Sequence, residues 1–193
     1  NSLLKKCSTK YVNVAGDNIK REPTIRYLGA FLDESLNFKE HVKRKCRTAM
    51  LNYLRIKNIR KYLTRAATEI LVLSLVISHL DYCNLILYGI AESEIQKMQR
   101  IQNMCAKLVL FWNKYDSSKH ALFELHWLPV KARIKFKILC FMYNCHVGNA
   151  PSYLSELLNQ HVPGRQELGS SVVSDCSYAI SFNKYKTFND RSF

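Results

Sequence analysis

The sequence predicts a mainly α protein: a small N-terminal β-hairpin and a third strand, then a helical bundle, then a loosely ordered tail. Three observations carry this. Alternating and turn-forming residues are confined to about the first 36 positions, and apolar residues spaced three and four apart dominate from Phe38 to Leu158. Beyond Gln160, Pro163-Gly164, Gly169 and paired serines replace large apolar side chains. With 193 residues, 48% of them apolar, the chain is long enough to bury a core.

In order, residues 1–10 are a polar lead-in. Tyr11–Val14 alternates, Ala15-Gly16-Asp17-Asn18 is a turn, and Ile19 starts the return of a hairpin. Glu22-Pro23-Thr24 breaks it, and Ile25–Leu32 is expected as one strand in which Gly29 marks a bulge or a close backbone approach. Asn37 can cap a helix with Phe38, Val42, Cys46, Ala49, Met50, Tyr53 and Leu54 inward. Thr64 can cap the next, running to about Leu80 and continuing or kinking through Asp81-Tyr82-Cys83-Asn84 before ending near Gly89. A third amphipathic helix spans Ile95 to Trp112, with Lys97, Arg100 and Lys107 outward. Ser117–Leu125 is a short helix. Val130–Val147 begins with strand-like alternation, but Val130, Ile134, Ile138, Phe141, Met142 and Cys145 favour a helix, with Gly148 at its C-terminal cap. Pro151 opens a last short helix through Leu158.

Charge is the strongest functional signal. Net charge is +14 and the isoelectric point about 9.5. From Lys39 to Arg65 the chain carries Lys39, Lys43, Arg44, Lys45, Arg47, Arg55, Lys57, Arg60, Lys61 and Arg65 against one acid, Glu40. A solvated charged face would normally include acids as partners, so this face suits a polyanion, with nucleic acid the first candidate. Lys131, Arg133, Lys135 and Lys137 form a second basic run. The longest apolar stretch, Ile70–Ile90, is interrupted by Ser74, Ser78, His79, Asp81 and Asn84, which fits a buried helix better than a bilayer span. Seven cysteines, an odd number, mostly at apolar helical positions, fit small core residues in a reducing intracellular compartment, nucleus or cytoplasm. Cys140, Cys145 and His146 match no zinc spacing and are read as packing.

Catalytic groups are scarce. Asp33, Asp81 and Asp116 come from separate elements, and two-metal chemistry needs carboxylates that converge. No glycine-rich phosphate loop is present, and no nucleophile has a His and Asp around it. His79 and Asp81 are read as buried polar residues, and Asp81, Tyr82 and Asn84 as holding a kink by hydrogen bonds. Trp127 and Pro129 read as a packed corner.

A series of blocks resembles one family. Tyr27-Leu28-Gly29 with Leu32-Asp33, Leu36, Phe38 and His41 is similar to the end of the palm and start of the thumb in reverse transcriptases of non-LTR (LINE) retrotransposons, the jockey-like branch especially. Ile59-Arg60-Lys61-Tyr62-Leu63-Thr64, His79-Leu80-Asp81-Tyr82-Cys83-Asn84 with Leu87-Tyr88-Gly89, and Arg100-Ile101-Gln102-Asn103 with Ala106-Lys107-Leu108-Val109 continue it. Leu125-His126-Trp127-Leu128-Pro129-Val130, Ala150-Pro151-Ser152-Tyr153-Leu154 and Asp190-Arg191-Ser192-Phe193 complete it in order. The last block resembles one that the family extends further, so a truncated fragment is expected.

The resemblance implies residues 1–36 as the end of a palm with a primer-grip-like strand, 37–160 as the thumb and post-thumb region, and 161–193 as a flexible tail. It implies Tyr27, Leu28 and Gly29 as the primer grip. Together with the charge pattern it assigns Lys43, Arg44, Arg47, Arg55, Lys57, Arg60 and Lys61, and then Lys131, Arg133, Lys135 and Lys137, to nucleic-acid phosphates. The family's catalytic aspartates and the Mg2+ they hold lie N-terminal to the Tyr-Leu-Gly strand, so this stretch is expected to have no catalytic residue, metal or cofactor of its own. The implied partners are an RNA template, an RNA–DNA hybrid or DNA primer, and the rest of the polymerase palm, not a membrane. A domesticated nucleic-acid-binding or protein-adaptor module, or a decayed element copy, is the alternative.

Overall fold

The computed structural model describes residues 11–20, 22–156 and 158, so the tail expected after Gln160 lies outside the described residues. Two small antiparallel hairpins precede the helices. In the first, β1 (Tyr11–Val14) pairs with β2 (Asp17–Lys20) around Ala15-Gly16, both at positive φ. In the second, β3 (Thr24–Tyr27) pairs with β4 (Ala30–Asp33), Tyr27 facing Ala30. The single strand expected over Ile25–Leu32 is therefore a hairpin folded at Leu28-Gly29. Both of these residues have positive φ, 44° and 78°, as a two-residue turn matching strand twist requires.

Asp33 organises the passage into the first helix, its Oδ1 accepting from the Ser35 and Asn37 backbone N–H groups at 3.2 and 2.9 Å. Asn37, expected as the cap, lies one residue before the N-cap position, which Phe38 occupies without a side-chain capping bond, and accepts from the Lys39 N–H at 3.0 Å. Phe38 turns out to precede the helix, buried in a left-handed conformation. α1 (Lys39–Ile59) lays His41, Val42, Ala49, Tyr53 and Ile56 into the core. Leu54, expected inside, is exposed.

A short 3-10 turn, Arg60–Tyr62, leads to Thr64, whose hydroxyl accepts from the Ala67 N–H at 3.2 Å. α2 (Arg65–Val72) runs through a π-helical segment, Leu73–Ile77, into α3 (Ser78–Asp81). The widened segment is knitted by side chains. Ser74 donates to the Ile70 carbonyl, Ser78 to the Ser74 carbonyl, and Asn52 of α1 to the Leu75 carbonyl at 2.8 Å. The rod stops where the sequence suggested a kink: Tyr82 is extended and Cys83 left-handed before a 3-10 turn over Asn84–Leu87.

α4 (Glu92–Leu110) supplies Ile95, Met98, Ile101, Cys105, Ala106 and Val109 to the core and packs on α1 and α2. It closes with Phe111 in the left-handed region, and the Trp112 N–H reaches back to the Lys107 carbonyl at 2.9 Å. α5 (Ser118–Glu124) packs on α4. α6 (Val130–His146) resolves the ambiguous stretch as a helix, burying Val130, Ile134, Ile138 and Cys145. Gly148 follows at φ 79°. α7 (Ser152–Ser155) is shorter than expected. No helix among the described residues is long and apolar enough to cross a membrane.

Candidate nucleic-acid interface

The β3–β4 turn is seated on the corner that ends α3. Tyr82 Oη donates to the Leu28 carbonyl at 2.6 Å, and a Cβ placed on Gly29 would stand 2.7 Å from that same phenol oxygen. The close approach expected at Gly29 is thus made by the ring of Tyr82, and its positive φ adds a second requirement for glycine. Tyr27 and Leu28 are 62% and 76% exposed, so neither belongs to the core, and the three residues expected to act as a primer grip form a presented turn.

Under that turn, His41 is fully buried on α1. Its Nδ1 accepts from the Phe31 N–H at 3.2 Å, which places the imidazole proton on Nε2. Burial lowers the His41 pKa and the nearby Lys45 charge lowers it further, while the adjacent Tyr82 backbone opposes both without a hydrogen bond to Nε2. Lys45 lies with Nζ 4.0 Å from the centre of the Tyr82 ring. Its own pKa is lowered by burial and by Arg26, with the Cys83 thiol opposing. Arg44 lies 4.4 Å over the Phe31 ring and meets Glu40 at 2.7 Å. A set of cations therefore converges on the hairpin's seat.

Asp81 locks the corner from behind. Its carboxylate accepts from Asn84 at 3.2 Å and from Arg133 at 2.5 Å, and its carbonyl accepts from Lys137 at 3.2 Å. The kink-holding role expected of Asp81 and Asn84 is present. Tyr82 differs: its hydroxyl crosses to the hairpin.

Along α1, Lys43, Arg44, Arg47, Arg55 and Lys57 all lie on the exposed side, with Lys39 extending the row. The one acid there, Glu40, contacts Lys43 at 3.9 Å and Arg44 at 2.7 Å, and Arg55 touches Asn52 at 3.3 Å. Lys61 is exposed beside Tyr62. Arg60 is not part of this face. It is 9% exposed and donates to the carbonyls of Leu63, Leu108 and Val109 at 2.8, 2.8 and 3.1 Å, closing the end of α4. The arginine fork meets three carbonyls at once, adding to the Phe111 N–H that Leu108 already accepts, which accounts for its burial.

The second basic run is largely occupied. Lys131 pairs with Glu92 at 2.8 Å, and that contact, with a further bond from Gln96, lowers the Glu92 pKa. Arg133 and Lys137 hold Asp81, which leaves Lys135 as the exposed cation with no carboxylate partner among the described residues. These four do not form the continuous phosphate-facing patch that their spacing suggested.

Asp33 is engaged with its loop, Asp81 with Arg133, and Asp116 with the Asn113 N–H at 2.5 Å. Among the described residues no three His, Cys, Asp or Glu side chains gather as a metal site. Cys105 and Cys46 behave as core thiols, burial pushing their pKa up to about 12 and about 11. Cys145 is also buried, but Cys140 is exposed, contrary to the packing role expected of it. Lys45 and Tyr82 were missed as neighbours of the turn, because they lie on two segments remote from it in sequence. Comparison with protein families, with curated proteins and with solved structures returns no match.

Proposed function

We propose that this chain is the palm-end and thumb portion of a non-LTR retrotransposon reverse transcriptase, a part that grips primer–template nucleic acid without carrying the polymerase aspartates. The observation that carries the reading is the pairing of two features. One is the exposed, nearly acid-free cationic side of α1. The other is the protruding Tyr27-Leu28-Gly29 turn, fixed by Tyr82 at the start of that helix. A rigid turn beside a row of cations suits a duplex backbone recognised by shape and charge rather than by sequence. Lys43, Arg44, Arg47, Arg55, Lys57 and Lys61 are the phosphate contacts, with Lys135 secondary. Arg60, Arg133 and Lys137 serve the fold that presents them. Mg2+ belongs, in this reading, to the palm partner.

The test is equilibrium binding of a labelled RNA–DNA primer–template between 50 and 200 mM salt, a span chosen because phosphate contacts make affinity fall steeply across it. Affinity should drop with a log–log slope of roughly 0.7 to 0.9 per phosphate contact and should tolerate changes of sequence. Binding that ignores salt, or none at the lowest salt, removes the proposal. A protein-adaptor reading draws on exposed Phe136, Leu139 and Tyr143 along α6, and a nuclease-resistant stable partner would favour it.

A further inference from the structure

A second surface, separate from the α1 face and the hairpin turn, lies where the α1–α2 corner meets the end of α4 and the loop into α5. Contacts tie these segments to one end of the bundle. Arg60 binds the last carbonyls of α4 and lies 4.6 Å over the Phe111 ring. Lys107 Nζ donates to the Lys114 carbonyl at 2.8 Å, folding the loop back on the helix. Arg65 meets Glu124 at 3.6 Å, joining α2 to α5.

This end displays aromatic rings that the core does not need. Tyr62 is 77% exposed, Phe111 69% and Tyr115 93%. Trp112 stacks nearly parallel on His120, centroids 5.2 Å apart at 14°. Lysines interleave with the rings: Lys61 lies 4.8 Å from the Tyr62 ring centre, and Lys114 and Lys119 are exposed. The two acids of these segments are already engaged, Asp116 by the Asn113 N–H and Glu124 by Arg65. A hydrophobic protein groove would not need this density of lysine without a carboxylate partner among the described residues, and a duplex offers no free base faces to the rings.

The geometry points to a platform for unpaired nucleic acid, on which bases stack against Tyr62, Phe111 and Tyr115 while Lys61, Lys114 and Lys119 follow the phosphates. Every base has a π-face, so the platform is tolerant of sequence. It extends the proposed grip on paired primer–template to a single strand leaving or entering that duplex, and shares only Lys61 with it.

The experiment is fluorescence anisotropy on the full chain with labelled dT12 and U12 and, in parallel, with a blunt RNA–DNA hybrid. Tyr62→Ser combined with Tyr115→Ser touches exposed rings only. It should weaken binding of the unpaired oligonucleotides at least about tenfold while changing hybrid binding less than about twofold. Tyr62→Phe with Tyr115→Phe should restore unpaired binding, because the ring and not the hydroxyl supplies the stacking. Unpaired binding unchanged by the serine pair, or equally weakened by the phenylalanine pair, overturns the platform. So does concentration-dependent self-association in sedimentation that the serine pair abolishes while oligonucleotide binding persists, since the surface is then a protein interface. Failure of hybrid binding with ring-dependent binding of dT12 retained would sink the proposed thumb role and leave the platform standing.

Discussion

The two basic runs of this chain resemble each other in sequence and differ in space. Along α1 the cations meet one acid and stay in solvent. Along α6 they meet acids delivered from 39 and 52 residues away, Glu92 and Asp81, and so help fix the fold. A count of lysines and arginines therefore measures supply, while the charge a surface can offer a polyanion depends on what distant elements place beside it. Arg60 makes the same point within the first run. It is one of the α1-proximal cations by position, yet it closes a helix 48 residues further on.

The largest effects expected from this contrast fall on stability. Arg133→Met strands the partly buried Asp81 carboxylate and should cost about 3 kcal/mol in urea unfolding. Arg60→Met removes three hydrogen bonds at the end of α4 and should cost a similar amount, about 3 kcal/mol. Neither should change the salt slope of nucleic-acid binding in protein that remains folded. If Arg60→Met unfolds normally and loses slope instead, Arg60 belongs to the interface after all.

Next is the hairpin's seat. Gly29→Ala introduces a Cβ against Tyr82 at a left-handed position and should destabilise by about 1 to 3 kcal/mol. Tyr82→Phe, which removes only the bond to Leu28, should cost about 1 kcal/mol. Equal costs would mean that the close approach is relaxed by the ring moving.

His41 gives a smaller, pH-dependent effect. Its folded pKa lies below the ordinary imidazole value of 6.5, so its contribution is fully present above about pH 6.5 and is lost as pH falls toward the folded value. Stability measured between pH 8 and 5 should decline on the acid side, and His41→Gln should flatten that decline while lowering stability at pH 8. The smallest effect is at Lys131. Its pair with Glu92 is solvent-exposed, and Lys131→Ala should leave the urea midpoint essentially unchanged.

Much of the fold was legible because the helices carry strong apolar periodicity and an explicit cap at Thr64. The α6 stretch was readable despite its alternating start, because its later half repeats at helical spacing. The second hairpin was hidden. Its turn uses Leu28 at positive φ, a residue that signals no turn, so only Gly29 hinted at the fold-back. The site was half legible: the α1 face followed from local spacing, whereas Arg60, Arg133 and Lys137 were claimed by partners that no local pattern reveals. Tyr82 was read as part of a kink, and its bond across 54 residues became visible only in three dimensions.

The central claim is that α1, not α6, presents the phosphate-binding charge. The most direct measurement compares the salt dependence of hybrid affinity in Lys43→Ala/Arg47→Ala/Lys57→Ala with that in Lys131→Ala/Lys135→Ala. The α1 triple should lose roughly 2 to 3 units of log–log slope, and the α6 double less than about 1. A slope loss in the α6 variant equal to or greater than that in the α1 variant would contradict the claim.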